Sequence, residues 1–326
     1  MTVSLEQKPS IDFDKLLVDL SEEIKEPQPL ISLSDKPIFT RGNISCIGGR
    51  AKSRKSFLVG LLTAQFLDFE DNTTVMIIDT EQGSFHVQKA TKRIHRLLEW
   101  SETQNNKRLR VFRLRELTTD QRLEFVKSAI EYYLPDLVFI DGIRDILHDF
   151  NNIAESSEVI NLLMKLSSET NSHICCVLHV NKGDDNLRGH TGTELTNKSE
   201  TTIAVEKIDE SVSEVTPKYC RNIAFEKFFF KVNESGLPEL YEPVEKPKSN
   251  DRLKSLFNEL LPIASYLSFA DLRTKVAEKT GKVNRTAERY IKEATDTGII
   301  VKNNVNMYYS FFNNDNSNTE NEPLPF

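Results

Sequence analysis

The feature that most constrains this chain is residues 44–59, ISCIGGRAKSRKSFLV. An apolar strand enters a short polar loop, then Lys-Ser, then a helix whose first turn is apolar. This is the layout of a loop that wraps a polyphosphate with backbone N–H groups at a helix N-terminus, where the helix dipole favours negative charge. In that layout Lys55 reaches the β/γ-phosphates of a nucleotide such as ATP, and the Ser56 hydroxyl holds Mg²⁺. The loop itself comprises Gly49, Arg50, Ala51, Lys52, Ser53 and Arg54. Gly49 occupies the first glycine position of the pattern G-x-x-x-x-G-K-[ST], whereas Arg54 stands at the second. A glycine there lets the backbone approach phosphate. Arg54 must therefore point outward or add its own charge to the anion site. The competing reading is a plain strand–turn–helix with basic residues on a solvated corner.

The chain around this loop has 326 residues, enough for a large domain and a smaller one. No apolar run approaches the roughly 20 residues of a membrane helix, and the polar start is not a signal peptide. Neither the spacing of Cys46 and Cys220 nor the adjacent Cys175–Cys176 pair suits a metal, so reduced thiols and a cytoplasmic location are expected. Net charge is −7, which argues against a chain coated in nucleic acid. Residues 251–311 nonetheless carry ten Lys/Arg against seven Asp/Glu, so the basic surplus is C-terminal.

Hydrophobic periodicity predicts a short amphipathic helix over 13–24 within an N-terminal extension, 1–29. Residues 30–40 lead into the loop and are a candidate wall for the nucleotide base. From 44 to 178, continuous apolar strands (44–48, 74–78, 109–114, 137–140, 173–178) alternate with helices (55–69, 85–100, 120–134, 156–170). That alternation implies α/β architecture: a mainly parallel sheet with helices on both faces. Residues 182–199 read as a long polar loop, and 201–205, 220–225 and 228–232 as strands closing a domain at 241. A linker, 242–250, precedes three helices and a hairpin over 251–311, the pattern of a winged helix-turn-helix. Residues 312–326 read as a disordered tail.

Parallel crossovers place strand C-termini on one edge, where ligands bind. Asp141 ends its strand and is placed as a Mg²⁺ ligand, although Asp-Gly is also an ordinary turn. Glu81 is placed to orient an attacking water, with Asp79 the competitor unless it caps the next helix. His179 is placed to sense the terminal phosphate, and Lys182 and Arg188 to touch single-stranded DNA through its phosphates. Arg221 and Lys227 are candidates to complete a neighbouring subunit's site. Arg285, Arg289 and Lys292 recur at helical spacing, as on a recognition helix for duplex DNA or on a solvated face.

The series GGRAKSRKS, IIDTEQG, LVFIDGI and LHVNKGDDNLRGHTG resembles the RecA-like P-loop ATPases of plasmid-type hexameric replicative helicases, and especially AAA-family ATPases of bacterial mobile elements. The resemblance spans about residues 30–240. It implies ATP and Mg²⁺ as cofactors, phosphate and metal binding by Lys55 and Ser56, Glu81 as the catalytic glutamate and Asp141 as the Walker B aspartate. It also implies His179 as sensor, Arg188 in a DNA-facing loop, and a homohexamer with ATP between subunits. Arg54 departs from the family pattern, and the winged helix lies outside the helicase core.

Overall fold

The computed structural model describes residues 16–69, 71–181, 186–243, 249–262, 265–303 and 306–311. The chain separates into two compact units, divided between Glu242 and Pro243. The first begins with an antiparallel hairpin of β1 (Pro29–Leu33) and β2 (Lys36–Thr40), turning on Ser34 and Asp35, both at positive φ. Then follow β3 (Ile44–Gly49), α1 (Lys55–Phe69), β4 (Val75–Asp79), α2 (Ser84–Leu97), β5 (Leu109–Arg113) and α3 (Thr119–Tyr133). Next come β6 (Leu137–Asp141), a 3-10 turn (Ile143–Ile146), α4 (Ile153–Thr170), β7 (His173–His179) and α5 (Gly189–Lys198). The unit closes with β8 (Thr201–Lys207), β9 (Val212–Cys220), β10 (Phe228–Val232) and β11 (Pro238–Tyr241).

Nine strands form one sheet in the order β11-β10-β9-β8-β3-β7-β6-β4-β5. The six from β8 to β5 are parallel, and the last three to join are antiparallel. Strand side chains alternate between two apolar layers, as a pleat requires. Ile47, Ile77, Phe139 and Val177 pack with α1 and Ile94 of α2 on one face. Cys46, Ile78, Ile140 and Cys176 pack with α3, α4 and α5 on the other. With both faces covered, the central strands are buried along their length, which explains why they read as continuous apolar runs.

Several local expectations differ from the structure. Residues 17–28 run as turns and extended chain, with Leu16, Leu17, Leu20 and Ile24 all exposed. A helix that short has no stability without a packing partner; residues 13–15 lie outside the described set. Residues 30–40 do not line the cavity beside the loop expected to bind a nucleotide. Their hairpin sits at the N-terminal edge of the sheet, where Phe39 stacks on His173 at 4.4 Å between ring centroids, and Thr40 bonds Glu200. The second half of 182–199 is α5, packed through buried Thr191 and Leu195, while 182–185 lie outside the described residues. The expected strand 220–225 is instead irregular from Arg221, and the strand is β9. Pro217 hid it, because proline removes a ladder donor. Here Pro217 lies beyond the β10 pairing, which stops at Val215, so the missing N–H leaves no gap. The 312–326 tail also lies outside the described residues.

The second unit holds α6 (Ser249–Leu260), α7 (Phe269–Thr280), α8 (Asn284–Asp296) and an antiparallel pair, β12 (Ile300–Lys302) and β13 (Tyr309–Phe311). Ser268 caps α7 by accepting from Asp271 N at 3.2 Å, and Gly281 ends it at φ +64°. Phe257, Leu272, Val276, Ile291 and Ile300 form its core.

His173 is fully buried in the N-terminal edge of the sheet, with Nδ1 2.8 Å from Thr40 O. Burial pushes its pKa down to about 4, so the imidazole is neutral and its 3.9 Å approach to Glu200 is no ion pair at neutral pH. The unfolded chain therefore binds a proton more readily between about pH 6.5 and 4, and stability falls as pH falls through that window. Replacing His173 with Phe should flatten this acid limb by about 2–3 kcal/mol, read from denaturant midpoints at pH 7 and 4.5.

Candidate phosphate-binding site

The loop after β3 is shaped by close approach. A Cβ on Gly49 would lie 2.5 Å from Ser53 Oγ and 2.6 Å from Val205 O, so only glycine fits. Lys52 and Arg54 both adopt positive φ, 64° and 71°. That conformation costs a non-glycine residue roughly 1–2 kcal/mol. Arg54 resolves the question its position raises by pointing outward. Its guanidinium donates to the carbonyls of Asp209, Glu210 and Val212 and to Ser213 Oγ, in the β8–β9 turn. Asp209 builds that turn by accepting from Ser211 N and Val212 N. These bonds offset the backbone strain and hold the guanidinium on the β8–β9 turn.

Lys55 is buried, and its Nζ donates to Gly49 O at 2.9 Å and Arg50 O at 3.1 Å and contacts His179 Nδ1 at 3.0 Å. Burial lowers its pKa, opposed by the charges of Asp141 and Glu81. An ammonium has no acceptor, so His179 Nδ1 accepts, and the ring's proton is placed on Nε2. Nε2 faces Glu81 Oε1 at 3.9 Å. Burial and then the Lys55 charge depress the His179 pKa, which keeps this ring neutral.

Glu81 is aimed by its neighbour. Asp79 accepts from Glu81 N at 3.0 Å and from Gln82 N and Nε2, each at 2.7 Å. Asp79 therefore holds the turn, leaving Glu81 as the carboxylate free to face the cavity. Burial, then Asp145 and Asp79, raises the Glu81 pKa. Gly142, at φ +105°, lets this turn pass β6, since a Cβ there would meet Thr80 Oγ1 at 2.1 Å.

Ser56 Oγ donates to Asp141 Oδ2 at 2.6 Å. Burial raises the Asp141 pKa to about 6, so a cation beside this carboxylate would be favoured. A hydroxyl and a carboxylate at this spacing fit Mg²⁺, which takes one or two protein oxygens and completes its shell with phosphate and water. Among the described residues no group of three or more His, Cys, Asp or Glu forms a metal cage. The Ser53 hydroxyl is buried without a partner, and Phe57 N and Leu58 N turn back to Arg54 O, which leaves the N–H groups of Lys55 and Ser56 at the start of α1 with no intrahelical acceptor. Both leave donors in place for an anion.

Lys52, Ser53, Arg54, Lys55, Ser56, Glu81, Asp141 and His179 line one cavity of about 540 Å³ at the C-terminal edge of the parallel strands. Gly49, Arg50 and Ala51 precede them and are not part of its lining. Arg188 also lines this cavity, although its sequence position suggested a DNA-facing loop. Lys182 lies outside the described residues. Arg221 bonds Lys198 O at 2.9 Å near the N-terminal edge, and Lys227 pairs with Glu214 at 2.9 Å; neither lines the cavity. In the second unit Arg285, Arg289 and Lys292 are exposed on α8, whose Ala287, Ile291 and Ala294 are buried. Residue patterns missed Arg93, Arg144 and Phe150, which also line the cavity. Arg144 follows Asp141 by three residues; the other two carry no local signal.

No family model matches this chain, and no curated protein matches it in sequence. Among solved structures it is similar to the RadB recombinase, with a TM-score of 0.48 at 15% identity over 63% of this chain and 93% of that one. The chemistry of the site therefore rests on its own geometry.

With Asp141 ionised at a cost above about pH 6, Asp141→Asn should stabilise the metal-free protein at pH 8. A gain of about 2 kcal/mol corresponds to a Tm rise on the order of 4 °C. At pH 5 the gain should shrink to roughly half, because the folded carboxyl is protonated while the unfolded one, near 3.8, is still largely ionised. Scanning calorimetry in EDTA at both values checks the sign.

Proposed function

We propose that this chain is a RecA-like P-loop ATPase that hydrolyses ATP with Mg²⁺ and acts on DNA, helicase-like, as a homo-oligomer such as a hexamer serving replication or mobilisation of a mobile element. The observation that carries the ATPase reading is the meeting of Lys55, Ser56, Glu81, Asp141 and His179, from four strand ends, in one cavity of nucleotide size.

In this reading the loop N–H groups and Lys55 bind the β- and γ-phosphates. Ser56 and Asp141 would hold Mg²⁺, which would supply charge neutralisation at the phosphates. Glu81 orients the attacking water and accepts its proton. Lys55 exchanges its loop carbonyls for phosphate oxygens, which frees His179 Nδ1 from its present contact. His179 then reports the phosphate along β7, whose end is tied to the next segment through the Val180–Leu187 bridge. In the second unit, three helices and a hairpin present Arg285, Arg289 and Lys292 on one exposed helix face, as a winged helix does toward duplex DNA.

A second reading is an ATP-switched DNA-binding regulator or initiation factor without unwinding. The packing of α5 favours it, because much of the segment expected to travel along single-stranded DNA is fixed by buried Thr191 and Leu195. Phosphate release with and without single-stranded DNA separates the two. A motor should be stimulated by the strand, and both Lys55→Ala and Glu81→Gln should lose at least ~10²-fold in kcat. Slow, strand-independent hydrolysis favours the switch, and none in the wild type rejects the ATPase reading. For the second unit, Arg289→Ala should weaken duplex binding across sequences and reduce its salt slope by about 1. Unchanged binding removes the recognition-helix role.

A further inference from the structure

The cavity holds a pair of cations that the phosphate-loop chemistry does not use. Arg144 lies in the 3-10 turn that follows Asp141 and Gly142, and Arg188 immediately precedes α5. Both guanidiniums lie against the ring of Phe150, with Cζ 4.3 Å and 5.3 Å from its centroid. All three residues line the cavity, and both arginines are exposed at its rim. Among the described residues neither guanidinium is in an ion pair or a side-chain hydrogen bond. Two like charges held against one aromatic ring repel each other, and an anion bound beside them relieves that cost.

The stack is rigidly mounted. Phe150 O accepts from Thr191 N at 3.2 Å and Thr191 Oγ1 at 3.1 Å, and the Thr191 hydroxyl meets Ser156 Oγ at 2.8 Å in a buried contact. Gly189 sits at φ +74°, where a Cβ would fall 2.5 Å from Phe150 Cδ2, so the chain closes on the ring only through glycine. Arg188 N donates to His179 O at 3.0 Å. Arg144 and Arg188 are thereby anchored to the two groups, Asp141 and His179, that stand beside Lys55 and Glu81. The charges of both are felt at His179, and that of Arg144 at Glu81.

We propose that Arg144 and Arg188, held on Phe150, contact the terminal phosphate of the nucleotide bound by the same chain and supply in cis the positive charge that ring ATPases take from a neighbour. Hydrolysis joins the water oxygen to the γ-phosphorus as the bond to the β–γ bridging oxygen breaks. The electron pair leaves with ADP, and the water proton passes to Glu81. Negative charge then accumulates on the γ-oxygens and the leaving oxygen, where two guanidiniums stabilise it. Phe150 acts as a positioning residue. Arg221 and Lys227, which hold bonds elsewhere, are not needed in this scheme.

The inference rests on the ATPase reading, and the test separates the two. In the full chain, Arg144→Ala/Arg188→Ala should lower kcat for phosphate release by at least ~10²-fold with KM changed less than a few-fold. Phe150→Leu should fall in between, and Phe150→Trp should restore the rate. Mixing the double variant with Lys55→Ala decides cis from trans, because each then carries what the other lacks. No recovery is expected, and recovery of turnover overturns the proposal, as does a double variant with wild-type kcat. If the wild type itself does not turn over, the readout is affinity for ATPγS relative to ADP. Loss of that preference in the double variant supports the phosphate contact, and an unchanged preference overturns it.

Discussion

The contact on which the site depends is that of the Lys55 ammonium with two carbonyls of its own loop and with His179 Nδ1. A buried cation must be satisfied, and here neutral acceptors do most of that work, at some cost to the cation's pKa. This arrangement fixes the tautomer of His179, turns Nε2 toward Glu81, and holds the loop against the wall of the cavity. The neighbouring anions are placed at a cost as well. Asp141 is raised to about 6 and Glu81 is raised by burial among other acids. The C-terminal edge of the sheet thus stores unfavourable electrostatics that a polyanion with its metal would relieve, as perturbed ionisable groups in a cleft commonly do.

Arg54 shows how a departure from a motif is absorbed. Glycine is favoured where φ is positive and phosphate must approach. Arg54 keeps the positive φ, accepts its strain, and recovers the energy by bonding to the β8–β9 turn. The loop is therefore tied to the antiparallel side of the sheet by a side chain that glycine would not supply. The opposite edge works differently. There His173, Thr40 and Glu200 are buried as a hydrogen-bonded group beneath the β1–β2 hairpin, with the imidazole neutral. One end of the sheet is arranged for stability and the other for charge.

Where reading from sequence failed, a tertiary effect overrode a local one. Residues 17–28 have an amphipathic pattern but nothing to pack on, so periodicity did not become a helix. Polar residues 189–198 look like a loop, yet Thr191 and Leu195 find partners on α4 and the segment is helical. β9 was masked by Pro217, harmless here because the neighbouring strand ends before it. Phe150 and Arg93 were invisible because no spacing rule links them to the loop they face.

From the residues alone came the parallel core strands, the helices between them, and Lys55, Ser56, Glu81, Asp141 and His179 as one set. Apolar runs that alternate with helices can bury both faces only as a parallel sheet, and such a sheet sends every strand's C-terminal end to the same edge. Tertiary structure alone decided which way Arg54 points, which edge the N-terminal hairpin covers, and that Arg144 and Arg188 share the ring of Phe150. Those outcomes depend on packing between segments distant in the chain, where neither propensity nor spacing carries information.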